Sequence, residues 1–479
     1  MSKTTSVKKV YTEVLKRVTP TRQEKERILK LAEKLRQKVV EVAEREGLEA
    51  KVRIEGSTAK DTWLREEPEI DIFMQLPQTI PRKDLGTICL KIAKKATEGS
   101  RQVERFAEHP YLEAFVDNIR INIVPCYEAK PGEWLSATDR TPFHTDYMKP
   151  RLNEKLCGEV RVLKKFMKGI GVYGAEIKVG GFSGYLCELL ILHYKSFIKS
   201  LEAAAHWRIP EIIDYEKYYK GREKEIQLIF SDPLIIVDPV DKGRNVASAV
   251  RKEKLFEFIA ASNLFLKKPS LKFFYPPETK PLTPKEAEQK LKTRGSSLVF
   301  IKFGKVEAVS DVLWGQLYKS QKSLKKMLLH HDFNVIRDYA WSNEDNLNLF
   351  IFEVENHRLP PIKKHLGPPL EKEADCENFL KKHNNSPQTI SGPYIENGRW
   401  VVETTRKHGD MVDLLKDKLG DGGRNVGVAE SIATILPKTL EIMVNEEVLK
   451  LYTSNRDFAK FLTEYLDGKP VWLRAASLL

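Results

Sequence analysis

The sequence predicts an α+β protein built from several domains. Its 479 residues are about three times the length of a typical domain, so several hydrophobic cores are expected. Strand-like and helical patterns alternate at first, mostly helical patterns follow, and proline clusters interrupt both. We therefore predict five segments: an α/β domain over 1–145, a mostly helical domain over 146–267, a proline-rich linker over 268–295, a β-α-β-β domain over 296–360 and an α/β tail over 361–479.

The first domain combines a long helix with a mixed sheet. Thr21 and Glu24 form a capping-box pattern, after which apolar residues recur at helical spacing until Gly47. Alternating residues predict one strand near 52–54 and another over 69–76. The helical stretch DLGTICLKIAKKAT follows, and LEAFVDNIRINIVPCY then predicts a hairpin that turns at Asp117-Asn118.

The later segments carry their own signals. The strand SLVFIKF, a helix over 311–330 and the strands FNVIRDYAWS and LNLFIFEVE give a β-α-β-β order, which RNA-binding modules often use. In the tail, YIENGRWVVETT predicts an Asn-Gly hairpin. A closing helix is predicted from Ser454 to Leu466, with a Ser-x-x-Asp cap at its start.

Net charge, cysteine spacing and the length of apolar runs restrict the binding partners and the cellular compartment that we expect. A net charge of +13 and a pI near 9.2 favour a polyanionic partner. The five cysteines show no CxxC spacing, which argues against a zinc site or a disulfide framework and fits a reducing cytoplasm. No stretch reaches the ~18 apolar residues of a membrane span. We expect a cytoplasmic protein with no membrane partner.

One short stretch, EGSTAKDTWLREEPEIDIF, combines a turn with two carboxylates. Gly56 lets the backbone approach a triphosphate, and Ser57 can donate to phosphate oxygens. Glu69 and Asp71 share one strand face, where their oxygens can bind divalent cations. The pattern is typical of metal-dependent nucleotidyl transfer. A solvated edge strand beside a turn glycine is the alternative on this motif alone.

The sequence around this stretch resembles that of the archaeal class I CCA-adding enzymes, the tRNA nucleotidyltransferases. The similarity covers nearly the whole chain and rests on these stretches: EGSTAKDTWLREEPEIDIF, HPYLEAFVDNIRINIVPCY, TPFHTDYM, RVLKKFMKGIGVYGAEIKVGGFSGYLCELLI, VDPVDKGRNVA and HLGPP. The resemblance implies a polymerase beta-like nucleotidyltransferase head, a helical neck, an RRM-like body and an α/β tail. It also implies template-independent addition of C, C and A to tRNA from CTP and ATP, with two Mg²⁺ ions as cofactors.

The resemblance also implies roles for individual residues. Glu69 and Asp71 match the family's first two metal-binding carboxylates, and Gly56, Ser57 and Thr58 match its phosphate-binding turn. Lys60 stands where the family commonly has Arg, so a bidentate phosphate contact would become a point charge. The remaining nucleotide-binding positions are His144, Lys164, Tyr173 and Arg244, the last of which matches an arginine that reads the incoming base. Each of these four has an alternative interpretation without the resemblance: a surface loop histidine, a solvated lysine, a core aromatic residue and a solvated arginine.

The family's third carboxylate is replaced here by Asn122. Asn is nearly isosteric with Asp but neutral, and it offers a metal one carbonyl oxygen. We therefore predict that Mg-NTP and tRNA still bind while chemistry is strongly impaired. Three origins fit: an introduced Asp→Asn change, a natural variant in which Asp117 or a water supplies the missing ligand, or an RNA-binding paralogue without catalysis.

The sequence leaves three function classes to compare. They are a CCA-adding enzyme, an inactive RNA-binding relative, and another template-independent RNA nucleotidyltransferase such as a poly(A) polymerase. Product length separates the first from the third, because CCA addition stops after three nucleotides. The resemblance implies tRNA, CTP and ATP as partners and is compatible with a homodimer. Basic residues of the body and tail are candidates for phosphate contact: Lys319, Lys322, Lys325, Lys326, Lys363, Lys364, Arg399, Arg406 and Lys407.

Overall fold

A computed structural model describes residues 3–106 and 108–474. Contacts divide the chain into two units: unit 1 runs to Glu278 and resumes at Lys469, and unit 2 spans Thr279–Gly468. The division falls inside the segment predicted as a proline-rich linker. Multidomain α+β organisation, as predicted from the sequence, is thus confirmed. In the described part of the chain, no helix has the length and apolarity needed to cross a membrane.

Two helices open unit 1. They are α1 (Lys3–Val18) and α2 (Arg22–Arg45). The predicted capping box is present at the start of α2: the Thr21 side chain accepts from the Glu24 amide, and the Glu24 carboxylate accepts from the Thr21 amide. The apolar face of α2 is buried against the sheet that follows.

A five-stranded sheet forms the first half of unit 1. Its elements in chain order are β1 (Lys51–Glu55), the one-turn helix α3 (Gly56–Ala59), β2 (Glu69–Leu76), α4 (Arg82–Ala96), β3 (Arg101–Phe106), β4 (Pro110–Val116) and β5 (Ile119–Tyr127). The strand order is β1-β2-β5-β4-β3, with β2 and β5 parallel. Asp117 and Asn118 both have positive φ, as a two-residue hairpin turn between β4 and β5 requires. The predicted hairpin is confirmed.

The second half of unit 1 is mostly helical and also holds a small sheet. In chain order it contains α5 (Thr141–Met148), α6 (Glu154–Gly169), α7 (Gly184–Tyr194), α8 (Phe197–Ala204), β6 (Glu211–Ile213), α9 (Glu223–Ile229), β7 (Leu234–Asp238), β8 (Asp241–Asn245) and α10 (Lys252–Lys267). The strands pair in the order β6-β7-β8. Phe166 lies at the centre of an aromatic core, and Trp472, from the returning C-terminal segment, stacks on Phe273 at 5.6 Å between ring centroids.

Unit 2 begins with α11 (Pro284–Thr293), inside the segment predicted as a linker. Proline is compatible with this helix because Pro284 occupies its first turn, where no amide donor is needed, and Thr283 caps it. The predicted β-α-β-β order follows as β9 (Ser297–Phe303), α12 (Ser310–His330), β10 (Val335–Ser342) and β11 (Asn348–Val354).

The rest of unit 2 forms a second sheet and extends the first one. Its elements are β12 (Ile362–Pro369), α13 (Glu373–His383), β13 (Thr389–Glu396), β14 (Arg399–Thr405), α14 (Met411–Leu419), α15 (Glu430–Thr439), β15 (Glu441–Val444), α16 (Leu449–Ser454) and α17 (Arg456–Asp467). The sheets have the orders β10-β11-β9-β15 and β12-β14-β13. Strand β15, from the predicted tail, therefore completes the β-α-β-β sheet.

The closing helix differs from the prediction at its first residue. Ser454 was predicted as its cap, but it ends α16, and its hydroxyl donates to the Leu451 carbonyl. Asn455 has an extended backbone and its side chain accepts from the Phe458 amide, so Asn455 caps α17.

Candidate active site

Strands β2 and β5 bring the predicted metal-facing residues together. Parallel pairing sets Glu69 beside Arg120 and Asp71 beside Asn122. Ile70 and Ile72 point to the opposite face and are fully buried, so the two carboxylates share the face that is free of core packing. The sequence predicted that Asn122 lies beside these two carboxylates, and the pairing of β2 with β5 places it there.

The Asn122 side chain marks the point on which the two carboxylates converge. Its amide nitrogen Nδ2 donates to Glu69 Oε1 and, at 2.9 Å, to Asp71 Oδ1. Two anionic oxygens that accept from one atom can also surround one hard cation, and rotation of the amide would present its carbonyl oxygen instead. These residues therefore fit a divalent ion. Residues 3–106 and 108–474 contain no group of three or more His, Cys, Asp and Glu suited to a metal.

The charge balance of this face depends on Arg120. Its guanidinium donates to Glu69 Oε2 at 2.7 Å. Burial of the carboxyl group, followed by the neighbouring charge of Glu69, raises the pKa of Asp71 to about 7. In this protein the two carboxylates thus repel each other, and a cation between them would relieve that repulsion.

The predicted phosphate turn lies directly against the sheet face that carries Glu69 and Asp71. Gly56 has φ +68°, and a Cβ placed on it would lie 1.9 Å from Asp71 Oδ2. Glycine is required here for both conformation and space. Ser57 and Thr58 follow in the single turn of α3, and the Thr58 hydroxyl donates to the Glu69 carbonyl oxygen. Thr58 therefore ties the turn to β2 through its side chain.

Lys60 and Lys164 belong to a buried charged cluster. The Lys60 ammonium lies 2.6 Å from Glu188 Oε2, and that of Lys164 lies 3.6 Å from Glu188 Oε1. Thr62 donates to Glu188 at 2.7 Å and accepts from Lys164 at 3.1 Å. The side chains of Lys60 and Glu188 are 6% and 1% exposed, so the Lys60 charge is engaged inside the protein. Burial lowers the pKa of Lys164, and Glu188 opposes this effect.

His144 and Arg244 meet at a second buried carboxylate. His144 Nε2 and Asp238 Oδ2 are 2.9 Å apart, and Arg244 donates to the same oxygen at 2.7 Å. Tyr185 donates to the other oxygen at 3.2 Å and stacks on the His144 ring at 4.1 Å between centroids. Burial lowers the pKa of His144 against the opposing effect of Asp238. The imidazole is therefore largely neutral at pH 7.

Tyr173 reaches the same region from the loop before α7. A Cβ placed on Gly184 would lie 3.0 Å from Tyr173 Oη and 3.4 Å from Lys164 Nζ, so both side chains border Gly184. Lys60 in turn lies 5.6 Å from the centroid of the Tyr185 ring. Tyr185 on α7 thus connects Lys60, at the end of the phosphate turn, with His144 and Asp238, and the side chains of Lys164 and Tyr173 lie at the start of the same helix.

Sequence reasoning missed the carboxylates that hold these groups. Glu188 and Asp238 were not singled out, although both lie inside stretches that carried the resemblance. The available signals were a charged residue in the apolar helix α7 and an acidic residue at the end of the buried strand β7, since lone buried charges need partners.

The basic residues predicted to contact RNA divide into two groups. Lys325 pairs with Asp338 at 2.6 Å, and Lys363 and Arg406 both pair with Asp332. Lys364 pairs with Glu396, and Arg399 donates to the Gly367 carbonyl oxygen. The other four are exposed: Lys407 and three lysines at helical spacing on α12, Lys319, Lys322 and Lys326. The three on α12 lie on one side of that helix, because residues three and four apart are neighbours on its surface.

Family models match three parts of the chain. A nucleotidyltransferase domain matches residues 30–144, the second domain of tRNA nucleotidyltransferase matches 158–275, and the C-terminal domain of CCA-adding enzyme matches 294–444. Among solved structures, the Cid1 poly(U) polymerase bound to Mg 3′-dATP has a TM-score of 0.42 at 16% identity, over 55% of this chain and 94% of that chain. This likeness is too weak to support an argument about function.

Curated relatives match nearly the full length. The CCA-adding enzyme of Methanosarcina barkeri is 36% identical over 456 residues, which cover 95% of this chain and 97% of the relative. That of Methanothermobacter thermautotrophicus is 34% identical over 460 residues, covering 95% and 98%. The predicted resemblance is confirmed. The chain therefore belongs to the family of archaeal CCA-adding enzymes, the tRNA nucleotidyltransferases.

Proposed function

We propose that two Mg²⁺ ions held between β2 and β5 serve the reaction of this CCA-adding tRNA nucleotidyltransferase. The observation that carries the proposal is the convergence of Glu69 Oε1 and Asp71 Oδ1 on the Asn122 amide. Bound divalent ions about 3.5–4 Å apart would lower the pKa of the attacking 3′-hydroxyl and neutralise the departing pyrophosphate. Glu69 and Asp71 are the ligands, and Asn122 contributes its carbonyl oxygen.

The incoming CTP or ATP lies between the phosphate turn and α7. Gly56 and Ser57 admit the triphosphate close to the backbone. Arg244 donates to its oxygens, and Asp238 holds His144 beside Arg244 at the edge of the pocket. Lys164 and Tyr173 complete the pocket near Gly184. Lys60 supports the turn from within through its ion pair with Glu188.

Catalysis in this chain is slower than the fold would allow. Because Asn122 is neutral, it would hold an ion beside the primer hydroxyl more weakly than a carboxylate would, whereas nucleotide binding keeps Glu69 and Asp71. The same residue favours a second candidate function, tRNA binding without catalysis. Under both functions the partner is tRNA, and the exposed lysines of α12 contact its phosphates. Both functions take place in the cytoplasm. A homodimer is compatible with either function.

Labelled CTP and ATP, with tRNA lacking its terminal CCA, test the proposal. The chain and its Asn122→Asp variant are compared in single-turnover reactions with Mg²⁺. We expect faster incorporation by Asn122→Asp, at least tenfold, and products that stop after three nucleotides. Equal rates for the two proteins would contradict the impairment. Longer products would favour a poly(A)-type activity, and binding of tRNA without incorporation by either protein would favour the second function.

A further inference from the structure

A fourth acidic residue shares the metal-facing side of the sheet. Antiparallel pairing of β4 with β5 sets Glu113 directly opposite Asn122. Side chains of opposed residues lie on the same face, with Cβ atoms about 4.5–5.5 Å apart. Asp71, Asn122 and Glu113 therefore form one row across β2, β5 and β4. Glu113 is only 6% exposed, so its carboxylate is held within the structure.

The two oxygens of Glu113 are not equally engaged. Arg105 donates to Oε1 through two nitrogens, at 2.9 and 3.2 Å. Oε2 lies 4.0 Å from the Arg120 guanidinium. The same guanidinium donates to Glu69 Oε2 at 2.7 Å. Arg120 thus stands between Glu113 and Glu69 where a cation would otherwise balance both carboxylates.

Other carboxylates are less suited to the position beside Asn122. Asp117 lies in the hairpin turn, and Val116 pairs with Ile119, three residues before Asn122. That separation is about 10 Å along the strand. Glu55 pairs with Asp71 on the other side, but it does not border Asn122, because β2 separates β1 from β5.

We propose that Glu113 takes the place of the family's third carboxylate and binds, through Oε2, the divalent ion beside Asn122. A bound ion would displace Arg120 from between Glu113 and Glu69. This inference rests on the proposed function, because it assigns a ligand to the face that carries Glu69 and Asp71. Glu113 replaces the missing carboxylate only in part, because it reaches the ion from the neighbouring strand β4 and is also held by Arg105, so catalysis stays slower than with Asp at position 122.

Binding of Mn²⁺ to the full-length chain, followed by the EPR signal of free Mn²⁺, tests the assignment without requiring activity. We expect Glu113→Gln to weaken Mn²⁺ binding about tenfold, as loss of a ligand or its support does. In the Asn122→Asp background the same change should weaken it less than twofold, because the restored carboxylate serves instead. Single-turnover CTP incorporation should follow the same pattern.

Two controls separate a metal ligand from a structural ion pair. Arg105→Gln removes the partner of Glu113 but keeps the carboxylate, so Mn²⁺ binding should stay unchanged or tighten. Glu104→Gln removes an exposed carboxylate on the neighbouring strand that pairs with Lys94, and should change nothing. Circular dichroism verifies folding. If Glu113→Gln unfolds, Glu113→Asp replaces it, with the carboxylate withdrawn by one methylene and the same weakening expected.

The outcomes are distinct. Unchanged Mn²⁺ binding in Glu113→Gln, equal losses in both Asn122 backgrounds, or an equal loss in Arg105→Gln would each overturn the assignment. If Asn122→Asp adds CCA while Glu113→Gln leaves Mn²⁺ binding intact, the proposed function stands and this inference fails. If no variant adds nucleotides, the proposed function fails, and the Mn²⁺ comparison still decides whether Glu113 is a ligand.

Discussion

The buried cluster around Glu188 predicts a single change that strongly destabilises unit 1. Glu188 is the only carboxylate in contact with the ammonium groups of Lys60 and Lys164 among the described residues. Glu188→Gln keeps the size of the side chain and a partner for Thr62 but removes its charge. Two buried cations then lack a counter-ion. Breaking a buried pair in this way costs about 3–5 kcal/mol in the free energy of unfolding.

The matched variant is Lys60→Met. It removes one cation and leaves Glu188 paired with Lys164 and hydrogen-bonded to Thr62, so no buried charge is left alone. We expect a smaller loss, about 1–2 kcal/mol. Guanidinium chloride unfolding followed by far-UV circular dichroism, with separate transitions fitted for the two units, measures both losses. A cost below about 1 kcal/mol for Glu188→Gln, or a larger cost for Lys60→Met, would refute the reasoning.

The pH dependence of the free energy of unfolding provides a second test of the same cluster. Burial would raise the pKa of Glu188, but the charges of Lys60 and Lys164 outweigh it and hold that pKa below the ordinary 4.5. Since the folded-state pKa is the lower one, the stabilisation is fully present above the unfolded pKa and is lost as pH falls through the folded pKa. The stability difference between the chain and Glu188→Gln should therefore shrink below pH 4.5. A difference that stays constant into that range would contradict this assignment.

Two further predictions concern the turn and the imidazole. Gly56→Ala should weaken Mn²⁺ binding at least about tenfold, because its Cβ would lie 1.9 Å from Asp71 Oδ2. Gly47→Ala has nearly the same φ with nothing within 4 Å of the Cβ, so it controls for backbone strain and should leave EPR-detected binding intact. Asp238→Asn should lower the pKa of His144 further, since Asp238 opposes the effect of burial; NMR titration of the ring measures it, and a raised pKa would contradict the geometry.

Local patterns predicted the part of the site that lies on one strand. The alternation in EIDIFMQL places β2 at Glu69–Leu76, with the carboxylates on one face. The apolar neighbours of Asn122 likewise place it on the face of the missing carboxylate. Both features are local, because a strand with one buried face constrains its own side chains. Sequence reasoning was therefore sufficient to locate the amide substitution.

Contacts between distant segments could not be predicted in the same way. Glu188 meets Lys60 and Asp238 meets His144 only after α5, α6, α7 and β7 have packed, and spacing along the chain carries no information about that packing. The pairing of Glu113 with Asn122 was predictable only in part. The hairpin was predicted from the sequence, but the register that sets these two residues opposite each other was not. The α11 helix was missed because proline was counted as a breaker, although the first turn of a helix accepts it.

The return of the C-terminal segment to unit 1 affects the order in which the protein can be completed during synthesis. Trp472 stacks on Phe273 and donates to Glu257 at 3.3 Å, but the ribosome makes all of unit 2 between these partners. Domains generally fold as they emerge. The aromatic surface around Phe273 therefore lacks its Trp472 cover until residue 472 is available. A nascent chain stalled within unit 2 would expose that surface, so chaperone binding at this stage would report on the unfinished first unit.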